Sequence, residues 1–267
     1  MMASPNAGWR PNEPAHIAAC GDGGGVETSD ARLKEGRRFS SIGFRGANPV
    51  VKLVLGLVIG AVMMTLGVLI PWSLGEYAMS ISPHTNLGAS ALVPVAVLLL
   101  VFVVQASTEE AVLRGYMLQV AGLQINGVVA VVASSVFFAV IHFDFRPIVL
   151  ANITLYAVFA CLVALGQGNL WLIAGIHAGW NFFQGNVFGL PVSGHAEASS
   201  LFAFGPGPDS HEMLTGGNFG VEASIMGTGI LATATVIAFL YYHRQEKLRR
   251  PPGSLAARQP AEPHPGS

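Results

Sequence analysis

Positive charge is nearly missing from the middle of this 267-residue chain. Of its 14 Lys and Arg, seven precede Leu53 and five follow Tyr242, which leaves Arg114 and Arg146 between. That absence excludes an extended nucleic-acid-binding face, and the net charge of -1 conceals it. Charge of either sign is scarce, at 11% of residues, too little for the surface of an ordinary soluble domain. There are two cysteines, Cys20 and Cys161, hence no disulfide framework, and Cys161 in an apolar run reads as a buried neutral thiol. Residues 1–49 lack the apolar core of a secretory signal, so the first hydrophobic segment is expected to act as an uncleaved anchor. No internal repeat supports a transporter built from inverted halves.

Apolar residues are what the chain has in abundance: 52% are hydrophobic and the mean hydropathy is +0.53. The fold class expected is all-α, a polytopic membrane helical bundle of about six transmembrane helices. A helix needs about 20 residues to cross the hydrocarbon core. Six segments qualify: 50–72, 90–120, 127–143, 147–165, 169–189 and 223–242. Six crossings put both ends of the chain on one side, and the basic residues at both ends make that side cytoplasmic, within the cell membrane if the source is prokaryotic. Residues 1–49 are expected to pass from disorder to an interfacial basic segment, and 243–267 to be basic and then disordered. Residues 50–242 form the transmembrane domain, with a core at about 88–190 and an outer loop at 190–222 that holds four acidic residues and no Lys or Arg. Disorder is the expectation for that loop. Gly56 and Gly60 make a small-xxx-small face, and Gly175 and Gly179 flank His177, so each face would admit a helix at close range.

Within the apolar segments sit Glu109, Glu110 and Arg114, then His142, then His177 with Asn181. An ionisable side chain in the middle of a spanning helix costs roughly 2.5–3.5 kcal/mol, so such groups face a protein interior and mark a function. Glu110 and Arg114 are four residues apart in the favourable order for an ion pair, and Glu109 then points about 100° away. Folding the second and third segments about residues 123–126 brings Glu109 and His142 to similar depth. Two chemistries follow. Glu109, His142 and His177 would offer one oxygen and two nitrogens to a divalent metal such as zinc. Alternatively, Glu109 takes a proton from water, His142 helps to hold that water, and His177 with Asn181 donates to the oxyanion. The HExxH zinc signature is absent, which favours the metal-free version. Asn152, Thr154 and Gln167 are read as packing polars, and His195 and His211 as solvated.

Three motifs occur in order: EEAVLR at 109–114, FAVIH at 138–142 and HAGWN at 177–181. They resemble the EExxxR, FxxxH and HxxxN motifs of the CAAX protease and bacteriocin-processing (Abi) family of intramembrane proteases, which includes the type II CAAX prenyl proteases. The resemblance covers roughly residues 38–190. It implies an intramembrane endopeptidase in which Glu109 activates water, His142 assists, His177 and Asn181 stabilise the oxyanion, and Glu110 with Arg114 gives support. The partners it implies are the lipid bilayer and a peptide or membrane protein, prenylated in one substrate class, with no nucleic acid. A catalytically silent scaffold, immunity or sensor protein that uses the same polar cluster to bind a partner is the alternative, and a proton pathway through Glu109, Glu110 and His142 is another.

Overall fold

A computed structural model describes residues 39–79 and 86–249. The disorder expected of residues 1–31 and 251–267 lies outside the described residues, as does Cys20. The first long helix, α1 (Pro49–Ser73), starts on a proline, whose missing N–H costs nothing in a first turn. The chain continues through β1 (Tyr77–Met79) and β2 (Asn86–Leu87) to α2 (Leu92–Glu110), a π turn (Ala111–Met117) and α3 (Leu118–Gln124). Then come α4 (Gly127–Val140), α5 (Pro147–Gln167), α6 (Trp171–Phe182) with a second π turn (Phe183–Val187), β3 (Ser199–Ser200), β4 (Phe204–Pro206), the short α7 (Glu212–Thr215) and α8 (Ile225–Arg249).

Among the described residues four helices are long and apolar enough to cross a membrane: Pro49–Ser73, Gly88–Gln124, Pro147–Gln167 and Ile225–Arg249. The other two expected spans are helical but shorter. The 14 residues of α4 give a rise of about 21 Å, less than the ~30 Å hydrocarbon core. It stops because the backbone turns at Phe143, which has a φ of 54°, and Pro147 then opens the next helix. The fifth stretch, α6 and its π turn, is buried along almost its whole length.

The apolar side chains are distributed as lipid requires. Val54, Val58 and Val62 of α1, Val93, Val97 and Val104 of α2, and Val236 and Leu240 of α8 are exposed on the outside of the bundle. The centre is α5 and α6, with Val149, Ala157, Ala160, Ile173 and Ala174 almost fully enclosed. α1 lies directly on α6. A Cβ at Gly56 would overlap the carbonyl oxygen of Leu172, one at Gly60 that of Ile176, one at Gly175 that of Leu53 and one at Gly179 that of Leu57. The two glycine pairs read from the sequence are therefore each other's partners, and backbone packs on backbone at the level of His177.

At one end of the bundle both termini of the described chain fasten to the end of α5: Arg45 Nε donates to Gly168 O at 3.5 Å, and Arg249 donates to Leu165 O at 3.2 Å and Gly166 O at 2.8 Å. Cationic groups there complement the exposed carbonyls of a helix C-terminus. At the other end lies the outer loop, which is ordered rather than disordered. β4 pairs antiparallel with β1 (Tyr77 opposite Pro206), and β3 pairs parallel with β2 (Asn86 opposite Ser199). Tyr77 OH donates to Thr215 O at 2.5 Å, and the backbone N–H and Nδ1 of His211 lie 2.6 and 3.0 Å from the Glu76 carboxylate. Each bond ties the α1–α2 connection to the outer loop, so the acidic segment has its polar groups satisfied by a second segment of chain.

Candidate active site

The π turn that follows Glu110 carries Arg114 into the centre of the bundle. Arg114 Nη1 reaches Glu110 Oε1 at 3.2 Å, and both side chains are completely buried. Its Nη2 donates to Ala157 O of α5 at 3.4 Å, and the guanidinium sits 4.8 Å from the centroid of the Phe138 ring of α4. One cation therefore links α2, α4 and α5. π turns widen a helix locally and recur at functional sites. A second one follows Asn181.

Glu110 has a second partner that the sequence did not announce. His177 Nδ1 lies 2.9 Å from Glu110 Oε1, while His177 Nε2 lies 3.7 Å from Glu109 Oε2. A carboxylate only accepts, so Nδ1 carries the proton and donates to Glu110, and Nε2 is left toward Glu109. Glu109, with its side chain 34% exposed, also accepts from Gln105 Nε2 one turn earlier at 2.5 Å. The adjacent glutamates thus do different work: Glu110 is sealed between Arg114 and His177, and Glu109 borders open space.

That space is a cavity of about 300 Å³. Glu109, His142, His177 and Asn181 all line it, so one cavity gathers the four expected site residues. His142 stands at the turn after α4. Its Nδ1 donates to Phe138 O at 2.7 Å, which leaves Nε2 as an acceptor. No ion pair joins Glu109 and His142 among the described residues. Asn181 follows His177 by one turn of α6 and is 5% exposed. The rings of Phe138 and Tyr156 pack 6.3 and 5.2 Å from that of His177 and make an aromatic wall.

The outer loop supplies part of the lining through Ser193, His195, Glu197 and Glu222, none of which the sequence reading placed at the site. His195 was expected to be solvated; it is exposed, but at the cavity wall. Glu222 accepts from Ser193 N at 2.9 Å, from Ser193 Oγ at 3.2 Å and from Trp180 Nε1 at 3.3 Å, so the two ends of the loop close on one carboxylate beside Asn181. Burial pushes the Glu222 carboxyl above its ordinary range, against the Ser193 donors. Glu197 is raised too, again by burial. Asn152, read as a packing polar, donates to Glu222 O at 2.8 Å and accepts from Thr228 Oγ1 at 2.7 Å, and it also lines the cavity. Gln167 likewise donates to Tyr241 OH at 3.0 Å. The one trace of the loop's role in the sequence is Glu222 itself, an acid immediately before the last apolar segment.

Among the described residues no three His, Cys, Asp or Glu side chains are grouped closely enough to hold a metal ion. Glu109, His142 and His177 share a wall of the cavity, and with Nδ1 of each histidine bonded to another oxygen, Nε2 is the nitrogen that each could offer.

Residues 91–183 match the family model described as type II CAAX prenyl endopeptidase Rce1-like. The match begins just before α2, ends just after α6 and contains Glu109, Glu110, Arg114, His142, His177 and Asn181. α1, the outer loop and α8 lie outside it. No curated protein and no solved structure matches the chain.

Proposed function

We propose that this chain is a CAAX-type intramembrane protease with a specific reaction, a reading supported by the match of residues 91–183 to the Rce1-like family model of type II CAAX prenyl endopeptidases and by the apolar helices. The chain hydrolyses a peptide bond of a membrane-associated protein or peptide, with Glu109 as general base. Glu109 takes a proton from water, and the water oxygen attacks the carbonyl carbon. The imidazolium of His177, flanked by Glu109 and Glu110, donates from Nε2 to the developing oxyanion, and the Asn181 amide donates beside it. Nε2 of His142 accepts the second hydrogen of the water. The C–N bond then breaks, and the proton held by Glu109 passes to the leaving amine.

The observation that carries this reading is the 3.7 Å approach of Glu109 to His177 on the wall of the one cavity that also holds His142 and Asn181. The Nδ1 bond to Glu110 supports it, because a base-oriented imidazole keeps its other nitrogen on the reacting side. The test is proteolysis in liposomes of a panel of membrane-associated peptides by wild type, Glu109→Gln and His177→Ala, with and without a chelator. Cleavage lost in both variants and kept under chelator is the result expected. Cleavage that survives both substitutions overturns the site, chelator-sensitive cleavage restored by zinc overturns the metal-free mechanism, and no cleavage by any form returns the scaffold alternative.

A further inference from the structure

The cavity lies at one end of the bundle, and the two ends differ in charge. Where α1 begins and α8 finishes, the described residues include Arg45, Lys52, Arg244, Lys247 and Arg249. Arg45 and Arg249 are bonded into that end through the α5 carbonyls, so the charge belongs to the fold and not to a loose tail. At the opposite end, the α1–α2 connection, the α4–α5 turn and the outer loop together carry a single basic residue, Arg146, among the described residues. Arg146 is neutralised there, at 2.7 Å from Asp144 and 3.3 Å from Glu212. Lys and Arg in short flanks are retained on the cytoplasmic side, whereas acidic residues contribute little to orientation.

Every part of the cavity that is not a helix wall comes from the second end: His142 from the α4–α5 turn, and Ser193, His195, Glu197 and Glu222 from the outer loop. We infer that the cavity is entered from the non-cytoplasmic face of the membrane, and that the substrate is a peptide segment displayed on that face. This rests on the endopeptidase reading above and narrows it. A lipidated tail of a cytoplasmic protein would arrive at the basic end, separated from Glu109 by the interior of the bundle. An extracytoplasmic segment of a membrane protein, or a secreted peptide at the outer interface, arrives at the cavity.

The lining also bears on what enters. It holds the acidic side chains of Glu109, Glu197 and Glu222 and no Lys or Arg, so acids outnumber the His177 imidazolium of the proposed reaction and a neutral or basic peptide segment is admitted more readily than an acidic one.

The experiment uses right-side-out membrane vesicles that contain the full chain with Cys20→Ala, Cys161 being buried. His195→Cys at the cavity wall and Lys247→Cys at the basic end are each treated with a membrane-impermeant maleimide, before and after permeabilisation. His195→Cys is expected to react in sealed vesicles and Lys247→Cys after opening only. A His195→Cys that reacts only after opening, or never, overturns the inference, and so does a Lys247→Cys that reacts in sealed vesicles. In parallel, an impermeant quenched fluorescent peptide, in Lys-flanked and Glu-flanked versions, is added outside sealed vesicles of wild type and Glu109→Gln. Cleavage by wild type alone without opening, with the Lys version cut at least several-fold faster, is expected. Cleavage that appears only on opening overturns the stated substrate side, and equal rates overturn the charge preference. Labelling reads orientation whether or not the protein cleaves. If the labelling holds while Glu109→Gln cleaves as wild type does, the assignment of Glu109 fails and the orientation stands.

Discussion

Glu110 Oε1 is shared between Arg114, at 3.2 Å, and His177 Nδ1, at 2.9 Å, so the ion pair that braces the bundle and the imidazole that borders the cavity hang on one oxygen. Neighbouring Glu109 takes no part in that pair and meets His177 from the other side, at Nε2. Two adjacent carboxylates therefore give variants of opposite character.

Glu110→Gln is expected to destabilise the protein by about 3–5 kcal/mol, the usual cost of breaking a buried pair and leaving its cation uncompensated. Thermal unfolding in detergent checks this. A midpoint within error of wild type would remove Glu110 from the structural role.

Glu109→Gln keeps the side chain's shape and leaves Arg114 paired. Its unfolding midpoint should stay close to that of wild type while cleavage falls by about 10²–10⁴-fold, the range for loss of a general base. A parallel loss of folded protein and activity would point to packing instead.

Gly175→Ala places a methyl group against the backbone of α1 at Leu53 and Gly56. Overpacking of this kind typically costs about 1–3 kcal/mol, and here the obstacle is main chain, which has little room to yield. Lower yield and a lower unfolding midpoint are expected. Gly127→Ala is the control, since its Cβ would meet no atom within 4 Å.

Glu76 holds the outer loop to the α1–α2 connection, and the His211 backbone N–H and imidazole lower its carboxyl below the ordinary range. A depressed carboxylate contributes stability that is present above its unfolded value, about 4.3, and is lost as pH falls through the lower folded value. Wild type should thus be more stable than Glu76→Gln at neutral pH, and the difference should shrink on acidification below about pH 4.3. A difference that widens in acid would contradict this linkage.

The helical architecture was legible because apolar runs and their polar breaks are local signals. The Gly56–Gly60 and Gly175–Gly179 pairs were legible as close-approach faces, though not as partners of each other, because pairing is settled by the whole bundle. Glu109, His142, His177 and Asn181 announced themselves by being ionisable or polar where lipid should be. The second role of Glu110 was hidden, since its pairing with Arg114 by helical spacing already accounted for its charge. α4 fell short of a full span because Phe143 turns the chain in a positive-φ conformation, which a hydropathy profile does not register. The outer loop was misread for a different reason. Its Gly, Pro and acidic composition looks like that of a free chain, whereas its order comes from pairings with residues 76–79 and 86–87, more than a hundred positions earlier.

The contact between α1 and α6 also constrains how the protein is made. Gly56 and Gly175 are 119 positions apart (175 − 56), and α6 carries both His177 and Asn181. During synthesis α1 emerges long before the glycine face of α6 on which it packs. Until α6 arrives, its groove stands open to lipid or to a chaperone of membrane insertion. The cavity that gathers Glu109, His142, His177 and Asn181 therefore cannot assemble on a nascent chain shorter than about residue 187, so under the proposed function a half-made chain is inert toward the membrane it is entering.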